Sequence, residues 1–580
     1  MRFFRPLAMR PILCALMVGL VGCAAPPPMP LPLPSGAARL PQPAPAAPTP
    51  PAPAGAPAAP TAPAPAAQAG VPYGAAVAAR FPEPLASYAT PAFQDGRSAF
   101  TTNDELQAVL RSLVAPGEAA GQPGVTLLPL GRSQRGVPIE ALLFSRVGDA
   151  AQRAARPTVL LVGQQHGDEP AGSEALLVIA QELAQGSLQR LLDRINVIVL
   201  PRANPDGAQA NHRVTANGID ANRDHLLLKT PEAQAQAQLV REYQPAVVID
   251  AHEYTVVGRY LEKFGTVQRF DALLQYAMTA NLPSFIGKAS EEWFREPLLA
   301  SLKEQGLTSE WYYTTSVDLQ DKKISMGGTQ PDTGRNVNGL KNAISILIET
   351  RGVGIGRLHL KRRVHTHVTA MRSVLNSAHA RAPDLLKLRQ FVDNDVSVQA
   401  CRGDVVVEAA PTPSEYTLLM LDPTTGADRP VTVAWDSALE LRSLKTRTRP
   451  CGYWLAADQV DAVARLRSLG VQVRRVSEAG VARGETYTET AREEGRRQDV
   501  RGTIADAAPT LRLQVQTVPA LIDVPVGSYY VSLEQPLANL VVAALEPDTQ
   551  NSYLSNRIIS DLAGQVRVLA RPEMKTVPVP

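Results

Sequence analysis

Beyond its first ten positions the chain has no long block of basic residues. Its 58 Lys and Arg stand against 55 Asp and Glu, a formal charge of +3. That balance excludes an extended nucleic-acid-binding surface. No convincing internal repeat divides the sequence. The N-terminal apolar stretch Ile12–Val21 is too short to span a bilayer comfortably. Cysteine is scarce, with four in 580 residues, so at most a few positions can carry thiol or disulfide chemistry. At this length a single core is excluded as well, and roughly two to four domains are predicted.

What is present begins with targeting. Arg2, Arg5 and Arg10 precede the apolar stretch, which runs into Leu20-Val21-Gly22-Cys23. That tetrapeptide resembles the bacterial lipobox, which implies a signal peptide over 1–22, a lipidated Cys23 as first mature residue and attachment to a membrane. Ala24 in place of Asp resembles the outer-membrane sorting rule of Gram-negative lipoproteins, which implies an envelope location facing the periplasm. With Cys14 removed and Cys23 lipidated, Cys401 and Cys451 remain in an exported chain. They form either a disulfide or two buried thiols, and the oxidising compartment favours the disulfide. Residues 23–72 read as a linker, since 18 of the 50 prolines fall there among alanines. Such a segment favours polyproline II and reaches on the order of 150 Å at about 3.1 Å per residue. It is a tether, or alternatively a proline-motif ligand.

Residues 73–383 alternate apolar runs with helical patterns. Thr126–Leu130 and Ile139–Phe144 read as a hairpin. Val159–Val162, Val197–Leu200, Val247–Ile249 and Ile344–Ile348 read as buried strands, with a helix over Ala171–Leu192. Near-continuous apolar strands separated by helices predict an α/β fold, a mixed and mostly parallel sheet covered on both faces. Residues 384–580 carry short β-branched runs interrupted by a helix over Ala457–Leu469, with a loose charged stretch at Glu485–Arg501. A largely β C-terminal domain is expected.

His166-Gly-Asp-Glu169 follows one strand, and His252 ends another. In open α/β sheets, sites form outside the carboxyl ends of strands. Two histidines and one carboxylate at such ends make the donor set of a hydrolytic zinc, with a fourth position left open. Glu349 ends a further strand, where a carboxylate can take up and return a proton. Arg213 and Arg223 lie in polar loops after Asn204-Pro205-Asp206-Gly207, and guanidinium groups suit a terminal carboxylate or an oxyanion.

In this order, His166-x-x-Glu169, Asn204-Pro205-Asp206-Gly207, Arg213, Asp220-Ala221-Asn222-Arg223, His252 and Glu349 resemble zinc carboxypeptidases of the carboxypeptidase A type. Gly131-Arg132-Ser133 through Gly136-Val137-Pro138-Ile139 resembles that family's hairpin motif. The resemblance spans roughly residues 80–380. It implies His166, Glu169 and His252 as ligands to one zinc per chain, and Glu349 as general base and then acid. It further implies that Arg213 polarises the scissile carbonyl, that Asn222 and Arg223 bind the substrate carboxylate, and that Asp220 fixes a ligand histidine.

The sequence also departs from that family. Asp168 stands where digestive members have an arginine, and no tyrosine lies between Gly327 and Ile348. Tyr312 and Tyr313 are the nearest candidates for the family's tyrosine and Arg335 is a substitute for it, with none of the three assigned. His359, His365 and His367 sit in a Lys/Arg-rich stretch and are expected on a solvated helix face. The expected activity is zinc-dependent hydrolysis of C-terminal peptide bonds, in envelope peptides or the muropeptides of peptidoglycan stems. Alternatives are a deacylase of the aspartoacylase type on the same scaffold, or a non-catalytic envelope scaffold.

Overall fold

Every second residue of the central strands faces the same way, and the two sets enter different cores. Val159 and Leu161, Val197 and Val199, and Val247 and Ile249 pack with the helices Pro170–Gln185 and Leu360–Ala380. Their neighbours Leu160, Val162, Ile198, Leu200 and Val248 pack instead with Ala235, Leu239 and Val240 of the helix Pro231–Tyr243. Period-two alternation between two apolar layers is why these runs are hydrophobic at consecutive positions. Fully burying each such side chain stabilises the fold by roughly 1.5–3 kcal/mol.

The computed structural model describes residues 73–114, 124–506 and 508–579. Cys23, the signal segment 1–22 and the linker 23–72 therefore lie outside the described residues. The main sheet has eight strands, in the order Gly124–Arg132, Pro138–Ser145, Asn196–Leu200, Thr158–Gly163, Val247–Thr255, Ile344–Val353, Ala272–Tyr276 and Ser309–Trp311. The four central strands run parallel, while the outer hairpin and Ala272–Tyr276 join antiparallel. The sheet is mixed with helices on both faces. From Thr158–Gly163 the chain passes first to Asn196–Leu200 on one side and later to Val247–Thr255 on the other. This reversal opens a crevice at the carboxyl end of the strand that precedes His166.

The rest of the chain is rich in β structure. A long antiparallel pair, Asp404–Leu421 with Asp428–Thr448, is followed by a seven-stranded sheet and the helices Val460–Ser468 and Ala538–Leu545. Cys401 and Cys451 are disulfide-bonded and close the base of that pair. Two expectations are corrected here. The boundary at 383/384 falls inside the helix Ala382–Val398, and strands from the two regions pair with each other: Val267–Gln268 with Met420–Leu421, and Ile324–Ser325 with Trp435–Asp436. The stretch from Glu485 is not loose either. Gly480–Gly495 is a strand paired along its length with Thr510–Val524, and its outer half is exposed, so charged residues replace the apolar alternation. Among the described residues no helix is long and apolar enough to cross a membrane.

Candidate metal and substrate site

The turn that carries His166 and Glu169 is locked from three sides. Glu169 N–H donates to His166 O (3.2 Å), and the helix Pro170–Gln185 starts directly after Glu169 with proline at its first position, where a missing N–H costs nothing. Asn204 Oδ1 accepts from Gly207 N (2.9 Å), while its Nδ2 donates to Gln165 O (3.1 Å). Gly167 lies so close to Gly207 that a Cβ there would sit 1.9 Å from the Gly207 carbonyl carbon, so no larger residue fits. Asp206 in turn accepts from Ser133 Oγ (2.7 Å) and Arg135 N (3.0 Å), which ties the Gly131–Ile139 hairpin to the same turn.

His166, Glu169 and His252 converge, each offering a ligand atom within 4.8 Å of the others, and all three are buried. His166 Nδ1 is 2.7 Å from Glu169 Oε1, His252 Nδ1 is 2.8 Å from Glu169 Oε2, and the two Nδ1 atoms are 3.1 Å apart. The far nitrogens face other carboxylates: His166 Nε2 lies 3.0 Å from Asp220 Oδ1, and His252 Nε2 lies 2.8 Å from Asp250 Oδ1. A carboxylate accepting from Nε2–H leaves Nδ1 as a bare lone pair. Two such lone pairs and a carboxylate pointed at one another repel unless a cation stands between them. This donor set fits a zinc ion with an open position.

Electrostatics follow from the same contacts. Burial would raise Glu169, but the imidazoles of His166 and His252 outweigh it and hold the carboxyl well below its ordinary range. Burial likewise opposes Asp220, and Arg213 and His166 overcome it. Glu349 moves the other way: burial, then the charge of Glu169, push it up to about 7. It is in register with His252 on the adjacent parallel strand, which places it across the cavity from the ligand turn.

The loop residues are less uniform. Arg213 Nε and Nη2 donate to Asp220 Oδ2 (3.0 and 2.8 Å), and Nη1 reaches Glu169 Oε1 (3.3 Å), so this guanidinium faces the ligand set. Asn222 accepts from Gly334 N (2.8 Å) through Oδ1, and its Nδ2 lies 3.0 Å from His252 Nε2. With Nε2–H of His252 given to Asp250, the Asn222 Nδ2 donates to Asp250 Oδ2 (3.4 Å), so its amide braces the carboxylate that orients His252. This differs from the carboxylate-binding role the resemblance implies. Arg223 is committed too: Nε and Nη2 both donate to Asp499 Oδ2 (3.0 and 2.6 Å).

One residue of the site, Asp250, escaped the sequence reading, and others are named there without a role. Asp250 carried a usable signal, since it stands two positions before His252 and therefore on the same face of the strand. Tyr312 and Tyr313 both line the cavity; Tyr312 is raised to about 12 by burial and then by the charge of Glu349, and the buried Tyr313 also packs with Tyr260 and Trp435. Buried Arg335 lines it as well, and its Nη2 donates to Gly328 O (2.9 Å), its one side-chain hydrogen bond among the described residues. Asp168 is raised by burial and then by Glu169. The expectation of solvated histidines is corrected: His367 is fully buried, its Nε2 3.2 Å from His252 O, and burial holds it at about 3. His359 is buried, and His365 Nδ1 meets Tyr88 Oη (2.7 Å), because Leu360–Ala380 packs directly on the sheet.

These features define a mononuclear metallohydrolase. Residues 119–278 match the family model described as zinc carboxypeptidase, and the chain carries a domain of that family. It is a zinc metallocarboxypeptidase. Carboxypeptidase 2 of Trichophyton rubrum is 28% identical over 481 residues, covering 80% of this chain and 86% of that one. Human carboxypeptidase D is 30% identical over 208 residues, covering 27% of this chain and 15% of its own. Among solved structures, a metallo-carboxypeptidase from Burkholderia cenocepacia is 17% identical with a TM-score of 0.36, covering 48% of this chain and 69% of its own.

Proposed function

We propose that the protein is anchored through Cys23 in a bacterial envelope and trims C-terminal residues from peptides there, peptidoglycan stem peptides among them. The lipobox-like tetrapeptide and the Pro/Ala tether support the location; a long reach from a membrane suits a polymer lying beyond it. The observation that carries the chemistry is the convergence of His166, Glu169 and His252 beside Glu349.

His166, Glu169 and His252 would hold the zinc. Bound there, zinc supplies a Lewis acid that polarises a carbonyl and acidifies water. Glu349, with its proton affinity lifted toward neutrality, takes a proton from the attacking water and returns it to the departing amine. Arg213, fixed by Asp220, presents positive charge to the carbonyl oxygen as it becomes anionic. Asp220 and Asp250 hold the imidazoles in orientation, and burial excludes competing water.

The experiment is incubation of the mature, zinc-loaded protein with a mixed library of peptides and muropeptides, with products identified by mass. Chelator-sensitive loss of single C-terminal residues from both substrate sets is expected. Cleavage of peptides with muropeptides untouched would remove the peptidoglycan substrate. For location, Cys23→Ala is expected to move the protein from the membrane fraction to the soluble one; unchanged partition would remove the anchor.

A further inference from the structure

The C-terminal region reaches into the catalytic cavity. Gln498–Asp499 and Gly502–Thr503 pair as two short antiparallel strands, and the turn between them places Val500 and Arg501 in the cavity wall beside Tyr312 and Glu349. This segment is fastened on both sides of its turn. Arg497 Nη2 donates to Arg223 O (2.7 Å) and to buried Asp332 (2.9 Å). On the other side Asp220 N donates to Ala505 O (2.8 Å), and Lys229 Nζ pairs with Asp506 (2.8 Å). The turn itself is held by Val317 N donating to Arg501 O (3.1 Å) and by Arg501 N donating to Asp499 Oδ1 (2.8 Å).

That fastening determines which cations are free. Every nitrogen of the Arg223 guanidinium is engaged: Nε and Nη2 with Asp499 Oδ2, and Nη1 with Asn222 O (2.7 Å). Its side chain is 11% exposed and that of Asp499 10%. A substrate carboxylate arriving at Arg223 would have to break a nearly dry, charge-assisted pair and leave Asp499 without its partner, a costly exchange. Arg501 is in the opposite state. Its backbone is fixed, but its guanidinium has no hydrogen-bond or ion-pair partner among the described residues, and it lies where the phenols of Tyr312 and Tyr260 feel its charge. Arg259, whose charge it meets, donates to the Thr315 carbonyl, and Asp499, a carboxylate that feels the charge of Arg501, is already paired with Arg223.

We propose that the segment Arg497–Asp506 is a wall of the substrate site, and that Arg501 rather than Arg223 receives the substrate's terminal carboxylate. Asp499 is then a positioning residue: it keeps Arg223 in the wall and presents Arg501 to the cavity. This assignment rests on the carboxypeptidase reading, and it makes the C-terminal region part of the enzyme rather than an appendage.

The test uses the zinc-loaded full chain, a peptide with a free C-terminus and the same peptide as its C-terminal amide. An N-acetyl amino acid, bound but not cleaved, is titrated by calorimetry in parallel. Arg501→Gln is expected to raise KM for the free acid tenfold or more with kcat changed less than threefold. It should weaken the N-acetyl amino acid equally and leave the amide unaffected, and Arg501→Lys should restore part of the loss. Asp499→Asn is expected to raise KM as well, because the wall loosens. Two results would overturn the proposal: unchanged KM and unchanged titration in Arg501→Gln, or a lowered KM in Asp499→Asn, which would make Asp499 a competitor for Arg223. Wild-type protein that binds the N-acetyl amino acid through Arg501 but never cleaves peptide would sink the carboxypeptidase reading and leave this site standing.

Discussion

Two buried charge clusters, one at the ends of the parallel strands and one in the C-terminal region, differ in how completely they are closed. Around Glu546, Arg447 and Arg567 pair with its two oxygens (2.5 and 3.0 Å), Tyr453 donates to it (2.7 Å), and Arg447 also reaches Asp548. Each charge there meets an opposite one. At the strand ends, His166, Glu169 and His252 turn lone pairs toward one point, and Glu349 stands nearby raised to about 7, with no hydrogen-bond partner for its carboxylate among the described residues. Burial and charge are common to both clusters. What separates a reactive site from an internal brace is the deliberate shortfall of partners.

The largest effect expected from this contrast is at Glu349. Glu349→Gln should lower kcat by roughly 10²–10⁴-fold, with zinc content and circular dichroism unchanged. Retained activity would assign the proton transfer elsewhere. Glu546→Gln should do the reverse: two arginines lose a buried counter-charge, at a cost of about 3–5 kcal/mol in urea unfolding, while kcat of the folded fraction holds. If the two variants show the same kinetic loss, the distinction between the clusters fails. Reducing the Cys401–Cys451 bond, which closes a separation of 50 residues, should cost about 2–4 kcal/mol. Stability that ignores reductant would contradict that brace.

A smaller effect is the position of the acid limb. Burial first, and the charge of Glu169 second, raise Glu349 to about 7, and only its ionised form accepts a proton. The value of kcat/KM should therefore rise with pH toward that region and level off above it. Bound zinc adds positive charge and moves the limb to lower pH. The residual activity of Glu349→Gln should lack the limb, which a pH series on both proteins would decide.

Much of the strand-end cluster was legible because it is local. His166-x-x-Glu169 is one turn, and apolar runs of the right length place it, His252 and Glu349 at strand ends. Asp250 could have been read from the two-residue period of its strand. The partner of Arg223 could not, since Asp499 lies 276 positions away and nothing in its neighbourhood marks it. Arg501 is hidden for the same reason, as it becomes notable only once Asp499 is seen to pair with Arg223 instead. The strand Gly480–Gly495 was missed because its outer half faces water on both sides, which erases the alternation that reveals a half-buried strand. His367 was misread because a Lys/Arg-rich helix looks solvated until its contact with the sheet is known.

Metal analysis of the purified mature protein, set beside His252→Ala, tests the central claim most directly. One zinc per chain is expected in the wild type and far less than one in the variant, with the fold retained. Protein that holds no zinc after reconstitution, or a His252→Ala variant that holds as much as the wild type, would contradict the assignment of these three residues as the metal's ligands.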